Sequence, residues 1–110
     1  IQLHRPEVVA IEAIFRHKSS ESALRLGQAR GVALLAGAGA DCPIFEYNAM
    51  TVKKSVTGSG RADKDQVRHM VGMLTGADMS ALNADATDAV AIAITHLAHA
   101  AHHAAQGSRR

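Results

Sequence analysis

Two short apolar runs separated by one long helical stretch limit this chain to a narrow set of folds. EVVAIE at residues 7–12 follows Pro6 and is bounded by charge, and CPIFEYNA at residues 42–49 has Pro43 at its start, where a strand needs no ladder donor. The first reads as a buried strand and the second as a further strand. Between them, ALRLGQARGVALLAGAG reads as a helix capped by Ser19 or Ser20, supported by a Glu21–Arg25 pair, and ended by Gly37 and Gly39. Downstream, residues 50–57 suggest a short helix and GSG at 58–60 a turn. KDQVRHMVGMLTG then places Val67, Met70, Val71 and Leu74 at helical spacing, with Gly76 as the stop. ADMSALN connects to a last helix, and the QGSRR tail is expected to fray. The order strand, helix, strand, helix, helix, helix is α/β.

Two strands make a poor sheet. The chain also opens on Ile1 and not on Met. It is therefore expected to be a piece of a longer product or a processed form, with sheet material upstream.

At 110 residues the chain suits one core and not two. Its 47% hydrophobic and 20% charged content is that of a globular domain, with no segment disordered by composition. The longest apolar region, residues 89–105, is interrupted by Thr95 and four histidines and begins beside two acids, so it is not a membrane span. The N-terminus lacks the order of a signal peptide, and the expected location is the cytoplasm. Cys42 is the one cysteine, which excludes an intrachain disulfide and a thiolate zinc site; packing is its expected role.

The last helix opens on NADATDAVAIAITH, residues 83–96, with Asp85 and Asp88 one turn apart on one face. One reading is structural: an acidic N-cap, a loose capping box, and acids favoured by the helix dipole. The other is chemical. Like charges beside a buried surface repel unless a cation lies between them, and carboxylates are the hard ligands that magnesium takes. With Glu12, Asp85 and Asp88 set aside, 12 basic residues face 7 acidic ones, against a formal net charge of +2 for the whole. An acidic spot in a basic surround suits a polyanion that must meet divalent metal. Glu12 ends the first strand, the edge where open α/β sheets place ligands.

Other constellations are weaker. GAGADC follows a helix and precedes a strand, the reverse of a dinucleotide-binding loop. His96, His99 and His103 share a helical face compatible with metal, but histidine near a helix C-terminus is also favoured by the dipole. Lys53, Lys54, Arg61 and Lys64 surround a glycine turn whose amides suit phosphate, unless the loop is simply solvated. Phe15, flanked by Glu12 and RHKSSES, is either core or a wedge against a base. The first helix is apolar along Ala23, Leu26, Ala29 and Ala33 and again along Leu24, Gly27, Gly31 and Leu34 or Leu35. The first line suits the sheet; the second suits a partner copy or a neighbour within the domain.

EVVAIEAIF, SALRLGQARGVAL, FEYNAMTVKKSVTGSGRADKDQV and ADATDAVAIAITH, in that order and spacing, resemble the RuvC family of bacterial Holliday-junction resolvases over about residues 3–97. The resemblance implies a ribonuclease H-like fold, a mixed sheet flanked by helices, of which residues 1–103 are the C-terminal two-thirds, followed by a flexible tail at 104–110. It implies a homodimer that nicks four-way DNA junctions symmetrically, with two Mg2+ ions per site for which Mn2+ can substitute. By the same resemblance Glu12, Asp85 and Asp88 are metal-binding and catalytic carboxylates, and Lys53 and Lys64 lie near the scissile phosphate. Phe15 contacts bases, and Arg16, Lys18, Lys54 and Arg61 are the accompanying DNA-binding candidates. RuvA and RuvB are the implied branch-migration partners. The family's first metal-binding aspartate, in a motif like IDPG on an N-terminal strand, has no counterpart here, so the first hairpin, central strand and one carboxylate are expected to be missing. Two rivals follow: a catalytically incomplete dimer that binds junction DNA without cutting, and a helical protein-interaction fragment with no DNA role.

Overall fold

β1 (Val9–Glu12) and β2 (Ile44–Tyr47) pair in a two-stranded sheet, and the Val9 amide donates to the Pro43 carbonyl at 2.8 Å. The strands are shorter than the apolar runs; Asn48, read as the end of the second strand, instead caps the next helix. The computed structural model describes residues 3–13 and 20–107, in two compact units, residues 1–46 and 47–110. The candidate roles of Phe15, Arg16 and Lys18, and of the Glu21 and His103 side chains, lie outside the described residues.

In the first unit α1 (Ser20–Gly39) follows β1. Its inward face is Arg30, Ala33, Leu34 and Gly37, whereas Leu26 and Ala29 are exposed. The expected sheet-facing line of Ala23, Leu26, Ala29 and Ala33 is therefore corrected: the inward set repeats at three and four residues but is rotated around the helix. Gly37 belongs to it because a Cβ there would stand 3.2 Å from Ile44 Cδ1 and 3.3 Å from Val9 Cγ2. The helix runs through Gly37 and ends at Gly39, as expected, and the left-handed residue that closes it is Asp41, at φ 56°, while the Cys42 amide donates to Gly37 O at 2.9 Å and the Asp41 amide to Ala38 O at 3.1 Å. This paired closure needs one left-handed residue, a conformation a short Asp side chain tolerates. Cys42 is buried with its thiol on the Pro6 carbonyl at 3.3 Å, in keeping with packing.

The second unit packs three helices: α2 (Ala49–Thr57), α3 (Lys64–Thr75) and α4 (Ala84–Gly107). Each start has a chemical cause. Asn48 Oδ1 accepts the Thr51 amide, and Asp63 and Gln66 form a full capping box. Gly58 and Gly76, at φ 86° and 70°, close α2 and α3. The core is Val52, Val56, Ala62, Val67, Val71 and Ala91, with Tyr47, Met70, Met79, Val90, Ile92 and Ile94 around it. Leu74, expected on the buried line of α3, is 55% exposed, since the core contact stops at Val71. The ADMSALN connection contains a 3-10 turn, Met79–Ala81, capped by Asp78.

Candidate functional site

α4 begins at Ala84 because Asn83, and neither aspartate, caps it: Asn83 Oδ1 accepts the Ala86 amide at 2.8 Å. The capping reading of Asp85 and Asp88 is therefore corrected, although Asp85 keeps its dipole advantage as the acid of the first turn. Both carboxylates are exposed. Among the described residues, no side chain forms a hydrogen bond or ion pair with either of them. This accessible pair of hard oxygen donors, not engaged in holding the fold, fits a hydrated divalent cation. No group of three candidate ligands comes together among the described residues. Glu12 belongs to the first unit and the aspartates to the second.

Glu12 ends β1 half-buried. Its carbonyl accepts a hydrogen bond from Arg30 Nη1 at 3.1 Å, and the same guanidinium donates to Glu46 Oε1. Arg30 thus ties α1 to both strands at the end where Glu12 sits. The first turn of α4 is held in a comparable way. Thr87, 4% exposed and lying between the aspartates in sequence, donates its hydroxyl to Asn83 O at 3.0 Å. The Asp78 carboxyl, which caps the preceding turn, is pulled below the usual carboxylate range by hydrogen bonds from the Ser80 side chain and then its amide.

The basic candidates among the described residues lie on α2, α3 and the turn between them. Lys53 is half-buried; Lys54, Arg61 and Lys64 are exposed. Lys64 opens α3 beside the Asp63 cap, and the Arg61 amide is held by Ser59 Oγ at 3.2 Å. A cleft of about 490 Å³ is lined by Arg61, Asp65, Gln66, His69 and Met70, among others. It takes in one predicted cation and none of the predicted carboxylates. Two histidines of α4 are engaged within the fold: His96 Nδ1 bonds the Tyr47 hydroxyl at 2.8 Å, and His99 Nδ1 bonds Thr95 O at 2.9 Å. The His99 ring also lies 5.1 Å from that of Tyr47.

The sequence model of the family "Crossover junction endodeoxyribonuclease RuvC" matches residues 1–96. The chain belongs to the RuvC family. RuvC of Pectobacterium atrosepticum is 56% identical over 92 residues, 84% of this chain and 54% of that protein. RuvC of Chromohalobacter salexigens is 50% identical over 96 residues, 87% of this chain and 51% of that protein. This chain spans about half the length of the RuvC proteins it matches. T. thermophilus RuvC in complex with Holliday junction substrate aligns with a TM-score of 0.84 at 36% identity, covering 90% of this chain and 60% of that one. A second Thermus thermophilus RuvC structure aligns at 0.78 and 38%, covering 87% and 58%. The fold is accordingly the ribonuclease H-like α/β fold of RuvC, here helix-rich with two strands. Among the described residues no helix is long and apolar enough to cross a membrane.

Residues missed from sequence divide by range. Asn83 was legible, since Asn directly before a helix is a preferred cap. Arg30 was not, because its acceptors stand 16 and 18 residues away in the chain.

Proposed function

We propose that this RuvC chain belongs to a metal-dependent endodeoxyribonuclease that resolves four-way DNA junctions in the cytoplasm, working as a homodimer alongside RuvA and RuvB. The exposed Asp85–Asp88 pair, free of protein partners among the described residues, carries this reading. A pair serving only the fold would be engaged in it. A RuvC relative bound to a Holliday junction supports the choice of substrate.

In this reading Glu12, Asp85 and Asp88 hold two Mg2+ ions, with Mn2+ able to replace them. Bound magnesium supplies an activated water and stabilises the leaving oxygen of the phosphodiester. The chain's own residues do the rest. The carboxylates would hold the ions in place, and Lys53 and Lys64 would offset the charge that develops on the scissile phosphate. Lys54, Arg61, Arg16 and Lys18 neutralise flanking phosphates, and Phe15 stacks on a base near the cut. Dimer symmetry presents two such sites to two like strands.

The test is a denaturing-gel assay on a labelled four-way junction and an equal-length duplex, with Mg2+. In the full-length protein, which restores the N-terminal aspartate, paired nicks on the junction alone, lost in Asp88→Asn, are expected. Cleavage by Asp88→Asn at the wild-type rate sinks the carboxylate assignment. Salt-sensitive junction binding without nicks at any Mg2+ or Mn2+ concentration supports the incomplete binding dimer instead.

A further inference from the structure

Arg68, half-buried on α3, is engaged at three acceptors of the segment that delivers Asp85 and Asp88. Nη1 donates to Leu82 O at 3.1 Å and to Thr87 Oγ1 at 3.2 Å, and Nη2 donates to Met79 O. Met79 belongs to the 3-10 turn, Leu82 immediately precedes the Asn83 cap, and Thr87 stands between the two aspartates. The Thr87 hydroxyl relays the contact: it accepts from Arg68 and donates to Asn83 O at 3.0 Å, while Asn83 Oδ1 holds the Ala86 amide. One guanidinium therefore fixes the approach to α4, its cap and its first turn.

From this network we infer that Arg68 is a positioning residue, which sets the orientation of the Asp85–Asp88 turn and through it the affinity of that turn for a divalent cation. The inference rests on the carboxylate reading above. Arginine suits the task because its planar fork presents five donors in fixed directions, enough to satisfy three acceptors together. A lysine at the same place keeps the charge but carries its three donors on one nitrogen, which cannot span acceptors that Arg68 meets with two. Arg68→Lys thus changes geometry while leaving the electrostatic field of the site nearly constant. Outer hydrogen bonds that orient metal ligands commonly change affinity by about 10-fold or more when lost.

The experiment is a Mn2+ titration of the 110-residue chain, followed by broadening of amide signals at residues 84–89 and by the resonance of free Mn2+, with the unfolding midpoint measured beside it. Wild type is expected to bind, and Asp88→Asn to lose that binding. Arg68→Lys is expected to bind about 10-fold more weakly at a near-wild-type midpoint. Thr87→Val, an isostere lacking the hydroxyl, carries the same expectation and serves if Arg68→Lys does not fold; Thr87→Ser restores wild-type affinity. If Arg68→Lys and Thr87→Val both titrate like wild type, the positioning role fails and the carboxylate site stands. If wild type does not broaden residues 84–89, or Asp88→Asn broadens them equally, the carboxylate site fails and the positioning role with it.

Discussion

Asp85 and Asp88 both face water, and that decides how much they oppose folding. Carboxylates one helical turn apart, about 6 Å, repel by about 0.7 kcal/mol in bulk water, which is within what the positive end of a helix returns to acids in its first turn. Metal is therefore not needed to hold the pair in the fold. In the proposed reading its role is chemical alone. Tyr47 is a residue whose titration bears on stability, because burial raises its phenol above the ordinary value near 10. A raised acid is protonated in the folded state after the unfolded chain has begun to ionise. Its contribution is thus complete below about pH 10 and declines as pH rises toward the folded value. Tyr47→Phe should lose about 0.5–1.5 kcal/mol at neutral pH through the missing bond to His96, and the gap to wild type should narrow above pH 10. Urea unfolding of both proteins between pH 8 and pH 11 checks this. Since Tyr47 is the only tyrosine, a pH-independent gap would refute it.

At the scale of elements, the start of α4 is built by Asn83 and by bonds from outside the helix. Asn83→Ala should destabilise the chain by about 1 kcal/mol, the usual value of a side-chain cap. Asp85→Asn without metal should change stability by no more than about 0.5 kcal/mol, because lost dipole stabilisation and relieved repulsion nearly cancel. Denaturant midpoints of the two variants discriminate between a capping acid and a spare one: a larger loss for Asp85→Asn would restore the structural reading. The same local physics explains what was legible in advance. Short-range signals survived: Gly58 and Gly76 stop helices, Pro43 precedes a strand, and Val67 and Val71 repeat at helical spacing toward the core. Features set by packing did not. Which line of α1 turns inward depends on how closely Gly37 can approach Ile44 and Val9, and that distance has no trace in the periodicity. The Asp41 closure was hidden because two glycines upstream offered a more obvious stop. The acidic pair of the candidate site was legible as a pair, and so was its Asn83 cap, but its outer hydrogen bonds span up to 19 residues of sequence and were not.

For the molecule as a whole, the outward line of α1 bears on the state in which the chain works. Leu24 is 63% exposed and Leu35 75%, with Gly27 and Gly31 between them at helical spacing and open space around each glycine. A stripe with large residues at its ends and no side chains in the middle lets a second helix approach closely, and a two-fold axis would let the same stripe serve both copies. Isolated exposed leucines need no explanation, but two of them flanking an open glycine groove on one face do. The proposed homodimer therefore has a specific place to break. At micromolar concentration, light scattering should give twice the 11.5 kDa chain mass. Leu35→Asp should return it to a monomer with little loss of stability, because Leu35 lies on the outer side of the helix and not on the Gly37 face. A charge there has water to face in the monomer and an apolar partner in the dimer, so the variant acts on association alone. A monomeric wild type, or an unchanged dimer in Leu35→Asp, removes α1 as the dimer contact.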